Sequence, residues 1–190
     1  MDYSAARRAM IDNQLRPEAV TDAAVLAAMG TVPRENYVPE GAGASAYADR
    51  PISMGEGGAM MPPAALGRLL SEAAPRPGER ALVVGAASGY SAAVLEAIGL
   101  DVTSIDGLDL TAGEGDGFDL ILIDGAVDHF PQALIDRLAQ GGRLGAALRD
   151  SGVTRLVIGR AAGGALGVRT IVDADVPALP IFTSPPAFAF

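Results

Sequence analysis

The segment that most constrains the fold is a strand, a glycine turn and a helix in direct succession. Ala81 to Val84 is a short apolar run typical of a buried strand, and Gly85 to Gly89 is a turn of small residues. From Tyr90 to Ile98 apolar residues recur at helical spacing, and Ser88 stands at a capping position. This succession predicts a doubly wound, Rossmann-like α/β sheet in which a ligand lies against the backbone of the turn.

An acidic residue follows the next strand at a distance that suits the ribose of a cofactor. Asp101 to Ile105 is predicted to be a strand, and it leads into Asp106, 21 residues after Gly85. In folds of this class an acid about 20 residues after the turn binds ribose hydroxyls. The glycine pattern is not strict, because Ala87 stands where a second glycine is expected. A strand–turn–helix unit without a ligand therefore stays open as an alternative.

Composition excludes several classes of chemistry. The chain has 190 residues, which is enough for one domain with a sizeable core, and no uncharged apolar run long enough to cross a membrane. It has no cysteine, hence no disulfide or thiol nucleophile, and its single histidine argues against a metal site. All 14 basic residues are arginines and the net charge is −9, which argues against nucleic acid as a partner. We expect a cytoplasmic protein.

The remaining sequence predicts a single domain, with a helical, substrate-side extension over 1–75 and a sheet core over 76–190. Predicted helices span Tyr3–Leu15, Asp22–Met29 (stopped by Gly30), Pro62–Glu72 and Pro131–Leu138. Further predicted strands are Asp119–Asp124, Arg143–Leu148 after a Gly141-Gly142 turn, and a C-terminal hairpin of Val153–Gly159 with Ala165–Val172. Val32–Pro39 is an expected ordered loop, Gly41–Gly58 a flexible or ligand-lining one, and the tail Val176–Phe190 is expected to pack on the sheet.

Several blocks resemble protein-L-isoaspartate O-methyltransferases, and the most specific of them lies between Val32 and Asp49. In chain order the similar blocks are Gln14-Leu15, Val25–Met29, Val32–Pro39, Ala46–Asp49, the turn Val84–Tyr90, Gly141–Leu144 and the closing Leu179–Phe190. The resemblance implies an S-adenosylmethionine-binding sheet and methyl transfer to the α-carboxylate of isoaspartyl residues in damaged proteins. Such a transfer needs alignment and desolvation rather than a strong base.

The resemblance also implies site residues. On the cofactor side these are Gly85, Ala86, Ala87, Ser88, Gly89, Asp106 and Asp124, and on the substrate side Tyr47, Asp49, Gly57, Gly125 and Ala126. Asp124 ends a predicted central strand, and a ligand contact and a structural role are both open for it. His129, in the loop that follows, is expected to be solvated.

Two departures from the family pattern bear on activity. The stretch Gly57–Pro63 carries Ala59 and Met61 where the family has active-site hydroxyls, and neither side chain is a useful hydrogen-bond donor. Only the twelve residues Gly107–Phe118, four of them glycine, separate Asp106 from the next strand, which is too few for the usual third strand and its helix. No catalytic residue is therefore assigned with certainty.

The shortened linker makes Asp101–Ile105 a predicted edge strand. Such an edge has to be covered, charged or paired. We expect either the glycine-rich linker to cover it or a homodimer to form across it. Besides the active methyltransferase, a non-catalytic relative acting through a partner and a dinucleotide-binding oxidoreductase remain alternative hypotheses.

Overall fold

The computed structural model describes residues 2–55, 58–85, 87–105, 115–163 and 165–179. Its helices are α1 (Tyr3–Met10), α2 (Ala23–Thr31), α3 (Pro63–Ala73), α4 (Tyr90–Ile98) and α5 (Gln132–Ile135). Its strands are β1 (Ile52–Ser53), β2 (Ala59–Met60), β3 (Arg80–Val84), β4 (Asp101–Ile105), β5 (Phe118–Val127), β6 (Leu138–Asp150), β7 (Val153–Ala162) and β8 (Ala165–Asp173). The predicted site residues Gly57, Ala86 and Asp106 lie outside the described residues, as do the linker 107–114 and the tail after Leu179.

A six-stranded mixed sheet organises the described residues, in the order β4-β3-β5-β6-β7-β8. β4, β3, β5 and β6 run parallel, whereas β7 and β8 continue from β6 as antiparallel strands. The chain leaves β4 and rejoins the sheet on the far side of β3, which is the crossing that the short linker predicts. Among the described strands β4 is at the sheet edge, as predicted. A small separate sheet pairs β1 with β2.

The long helices cover one face of the six-stranded sheet. Buried residues of α1 to α4, among them Met10, Met29, Leu69 and Leu95, form one core with Val83 and Leu122 of the sheet. Met60 and Met61 belong to this core. The opposite face carries Leu82, Val84 and Ile123, packed with Leu134 of α5 and Leu179. A mixed sheet flanked by helices confirms the predicted Rossmann-like class.

Three predicted helix boundaries differ from the structure. Gly30 does not stop α2, because the helical hydrogen bonds continue to Val32 N, which donates to Ala28 O at 2.8 Å, and the helix runs on to Thr31. The chain then leaves the helix ahead of Pro33, which has no N–H to donate. In the first helix, α1 ends at Met10 and Ile11–Leu15 forms a single π-helical turn.

The predicted helix Pro131–Leu138 is wrong in length, since α5 ends at Ile135. Strand pairing begins before the predicted end of the helix. Phe118 N donates a hydrogen bond of 3.0 Å to Arg137 O, and Leu138 pairs with Phe118 as the first residue of β6. Gly142 lies within β6 instead of in the predicted turn, at the point where the register with β5 shifts. A Cβ on Gly142 would lie 2.8 Å from Phe118 O, so this irregular passage requires a glycine.

Candidate functional site

The predicted turn joins β3 to α4 at the carboxyl end of the parallel strands. Gly85 has φ +78° and Gly89 has φ +72°, a backbone region that glycine adopts without strain. Ser88 Oγ accepts a hydrogen bond of 3.2 Å from Tyr90 N, but the N-cap of α4 is Gly89 in the left-handed region, so the predicted cap by Ser88 is wrong by one residue. Ala87 is exposed. The turn therefore presents small residues at the helix start, where the peptide dipoles favour negative charge.

Asp124 lies next to this turn. The parallel register pairs Val84 with Ile123, so the residues that follow them, Gly85 and Asp124, lie side by side. The Asp124 carboxyl is 3% exposed, and its Oδ2 accepts a hydrogen bond of 2.6 Å from Ser91 Oγ in the first turn of α4. Its Oδ1 has no hydrogen-bond partner within the described part of the chain. Burial raises the pKa of Asp124 to about 6, although Ser91 and Arg34 favour the charged form.

A buried arginine accompanies Asp124 in the same region. Arg34 is 0% exposed, and it donates hydrogen bonds to the carbonyl oxygens of Ala46, from Nε at 2.7 Å, and of Met61, from Nη2. Its guanidinium carbon lies 4.7 Å from the ring centroid of Tyr90, a cation–π distance. Within the described residues, Arg34 Nη1 and the Tyr90 hydroxyl have no hydrogen-bond partner.

Sequence reasoning missed Arg34 and Tyr90 as members of this region. Burial raises the pKa of Tyr90 to about 12, so its hydroxyl stays protonated at neutral pH. The only signal in the sequence was the placement of Arg34 between two prolines and of Tyr90 at the first position of a helix. Neither position indicates burial. Together with Asp124 they form a polar cluster whose three unsatisfied atoms are unusual for a protein interior.

Tyr47 lies in a hydrogen-bonded triad with Arg7 and Glu35. Arg7 Nε donates to Tyr47 Oη at 2.8 Å, Arg7 Nη2 lies 3.0 Å from Glu35 Oε1, and the Tyr47 hydroxyl donates to Glu35 Oε2. Burial and the bond to Glu35 raise the pKa of Tyr47. The triad joins α1 to the loop after α2. A substrate contact by Tyr47 stays a prediction.

Asp49 lies at the start of α3 and borders a cleft. Its Oδ1 accepts a hydrogen bond of 3.0 Å from Ala64 N, which satisfies one of the free N–H groups of the helix. The cleft has a volume of about 220 Å³ and includes Glu18, Arg68, Leu156 and Val172 in its lining. Leu156 pairs with Ala147 near the carboxyl end of β6, so the cleft opens at the same end of the sheet as the glycine turn.

Gly125 and Ala126 are in contact with the described start of the C-terminal tail. Ala126 N donates to Pro177 O and Leu179 N donates to Ala126 O, both at 2.8 Å. A Cβ on Gly85 would lie 2.8 Å from the Leu179 side chain, which also covers Gly125. The described start of the predicted tail thus packs on the sheet. A contact between Gly125 or Ala126 and the transferring methyl stays a prediction.

Ala59 and Met61, which replace the active-site hydroxyls of the family, are both among the described residues. Met61 is 1% exposed and part of the core, while Ala59 in β2 is half-buried. Neither offers a donor. His129 is exposed, as expected. Within the described ranges there is no cluster of acidic, histidine or cysteine side chains fit to hold a metal ion, and no helix there is long and apolar enough to cross a membrane.

Comparison with known proteins gives consistent results. Residues 5–111 match the family model "Protein-L-isoaspartate(D-aspartate) O-methyltransferase (PCMT)". A protein-L-isoaspartate O-methyltransferase of Methylorubrum populi is 39% identical, over 74% of this chain and 78% of that protein. The Gloeobacter violaceus enzyme of the same name is 33% identical, over 88% of this chain and 96% of its own length.

Among solved structures, a Plasmodium falciparum protein of the same description superposes with a TM-score of 0.76 at 18% identity. It was solved in complex with S-adenosyl-L-homocysteine, and the superposition covers 92% of this chain and 98% of that one. This likeness establishes the shared fold.

Proposed function

Because the chain belongs to the protein-L-isoaspartate O-methyltransferase family, we propose that it methylates the α-carboxylate of L-isoaspartyl residues in damaged proteins. The methyl donor is S-adenosylmethionine. The observation that carries the proposal is the Gly85–Gly89 turn at the carboxyl end of the parallel strands, which lies within the family match. Ligands of such sheets bind outside the carboxyl ends of the strands.

The residues around the turn suit this cofactor. When bound, S-adenosylmethionine supplies a methyl group on a positively charged sulfur, so a carboxylate accepts it without a general base. Asp124 presents a buried carboxylate beside Gly85 with one unpartnered oxygen, and a carboxylate of this kind favours a nearby positive charge. We assign cofactor contacts to Gly85, Ala86, Ala87, Ser88, Gly89 and Asp124, with the ribose on Asp106.

The substrate side is assigned to the extension that carries Asp49. The cleft of about 220 Å³ beside Asp49 opens at the same sheet end as the turn. Tyr47, Gly57, Gly125 and Ala126 complete the proposed substrate side. The main tasks of these residues are to orient the isoaspartyl carboxylate and to exclude water. Correct alignment of the reactants alone lowers the activation free energy by about 7 kcal/mol or more.

A non-catalytic relative is the second candidate, and a specific observation favours it. Ala59 and Met61 stand at the family's hydroxyl positions, and Met61 is buried in the core. A missing active-site donor typically lowers kcat about 100-fold or more. Such a protein would retain the fold and act by binding a partner.

A methylation assay separates the two candidates. A peptide with one L-isoaspartyl residue is incubated with S-adenosylmethionine and the protein, and its normal aspartyl isomer serves as the matched control. We expect methyl ester on the isoaspartyl peptide only. The same sample is titrated calorimetrically with S-adenosylhomocysteine. Cofactor binding without methyl transfer at high protein concentration would favour the non-catalytic relative. Absence of cofactor binding would contradict both the assigned cofactor and the proposed methyltransferase activity.

A further inference from the structure

Two arginines lie directly opposite each other at the amino end of the sheet, remote from the glycine turn along the strands. Arg143 of β6 pairs in register with Arg160 of β7, so both side chains lie on the same sheet face. It is the face that carries α3, because Arg143 donates to the carbonyl oxygen of Ala73 at the end of that helix. Like charges directly opposite each other in a sheet are destabilising unless they are neutralised.

Arg143 is neutralised completely. Its two terminal nitrogens donate to the two carboxylate oxygens of Glu79, at 3.1 and 2.6 Å. The other donor contacts go to the carbonyl oxygens of Ala73, Ala74 and Asp119. Glu79 Oε2 also accepts a hydrogen bond of 2.8 Å from the Arg76 backbone N–H. The single negative charge of Glu79 is therefore balanced by Arg143.

Arg160 and Arg76 keep their charges uncompensated. Both side chains are exposed, and neither has an ion-pair or hydrogen-bond partner in the described part of the chain. With Arg143, Glu79 and Gly141 they line a predominantly polar cavity of about 170 Å³. The cavity lining thus carries three arginines and one glutamate, in a chain whose net charge is −9.

Two neighbouring acidic residues are already engaged elsewhere: Asp119 Oδ2 accepts a hydrogen bond of 3.0 Å from Arg80 N, and Glu72 pairs with arginines outside the cavity. Arg169 of β8 lies two residues from Gly167, which is the register partner of Arg160. Arg169 forms an ion pair of 2.8 Å with Glu72, and Glu72 forms a second ion pair of 3.0 Å with Arg68.

We propose that this cavity binds a phosphoryl group, as free inorganic phosphate or as the terminal group of a small phosphate monoester. A guanidinium fork matches the oxygens of phosphate geometrically, and two forks on opposite sides of a small cavity neutralise a dianion. Binding of such an anion compensates the charges of Arg160 and Arg76, which Glu79 does not balance because it is paired with Arg143. The site is separate from the methyltransferase site and independent of the proposed function.

Calorimetric titration of the full chain with inorganic phosphate at low ionic strength tests the site. We expect saturable binding of one phosphate and a raised unfolding temperature in its presence. Arg160→Gln and Arg76→Gln should each weaken binding about tenfold, since each removes a charged donor. Arg8→Gln is the matched control, because Arg8 is also exposed and has no side-chain partner in the described part of the chain. It should leave the affinity unchanged.

Two further measurements distinguish a ligand site from a structural role and identify the source of the phosphoryl group. Without phosphate, Arg160→Gln should leave the unfolding temperature equal or slightly higher, whereas a structural arginine would lower it. Tighter binding of phenyl phosphate than of inorganic phosphate would assign a monoester, and equal or weaker binding would assign free phosphate. Absence of saturable binding, or equal losses in Arg160→Gln and Arg8→Gln, would overturn the proposal.

Discussion

Arg34 and Arg143 are both buried, at opposite ends of the same sheet, and their surroundings differ in one respect. Arg143 has a hydrogen-bond acceptor for every terminal nitrogen and a bidentate carboxylate partner in Glu79. Arg34 has two carbonyl acceptors and one terminal nitrogen that lacks a partner among the described residues. The nearby Asp124 and Tyr90 also have unsatisfied atoms.

The difference teaches how to separate structural from functional burial of charge. A buried ion pair with saturated hydrogen bonds holds elements together, and removing one partner leaves the other uncompensated. Unsatisfied buried groups cost stability and persist where the protein uses them for another purpose. The Arg143–Glu79 pair is therefore structural, whereas the unsatisfied groups around Asp124 mark the candidate methyltransferase site.

The largest expected effect is that of Arg143→Ala. The substitution leaves the Glu79 carboxylate and three carbonyl oxygens without their donor, so we expect a loss of about 3 kcal/mol in the free energy of unfolding. Urea unfolding measures it. Arg160→Ala, the exposed residue directly opposite, is the control and should change stability by less than about 0.5 kcal/mol. A loss of under about 1 kcal/mol in Arg143→Ala would contradict the structural role of Arg143.

Asp124→Asn should act in the opposite direction on stability. Burial raises the pKa of Asp124 from 3.8 to about 6, so between these values the folded state binds more protons than the unfolded state. Stability therefore falls as pH rises from about 4 to about 6, and the charged carboxylate costs up to about 3 kcal/mol above that range. We expect the variant to be more stable than the wild type at pH 8 and the gap to shrink towards pH 4.

The same substitution should weaken cofactor binding, because it removes the charge beside Gly85. Urea unfolding at several pH values and titration with S-adenosylmethionine measure the two effects. Ser91→Ala serves as the control, since it removes the donor to Oδ2 but keeps the carboxylate. A variant that is less stable at pH 8 and binds cofactor normally would make Asp124 a structural residue.

The smallest expected effect is that of Tyr47→Phe. It removes one hydroxyl from the triad with Arg7 and Glu35, while the direct ion pair at 3.0 Å remains. We expect a loss of about 1 kcal/mol in unfolding free energy and unchanged affinity for S-adenosylhomocysteine. Tyr3→Phe, whose ring centroid lies 6.4 Å from that of Tyr47, is a matched control. A large loss of cofactor affinity in Tyr47→Phe would extend the functional cluster to the triad.

Local sequence patterns were sufficient for the elements around the candidate site. The bounds of α4 and β4 agree with the prediction residue for residue, because apolar periodicity and Gly99 operate within a few residues of the chain. The edge position of β4 followed from the reach of a twelve-residue linker. Short-range rules failed where a residue distant in sequence competed for the backbone. The carbonyl of Arg137 accepts a hydrogen bond from Phe118 N in the sheet, so Arg137 is not part of the predicted helix.

The sequence by itself determined the family, the strand–turn–helix unit and the edge position of β4. Only the tertiary structure decided which charges are buried and which are satisfied. The bond from Ser91 to Asp124 joins residues 33 apart in sequence, and that from Arg143 to Ala73 joins residues 70 apart. Such pairs leave no periodic signal, since they depend on how helices and strands pack and not on the residues beside them in the chain.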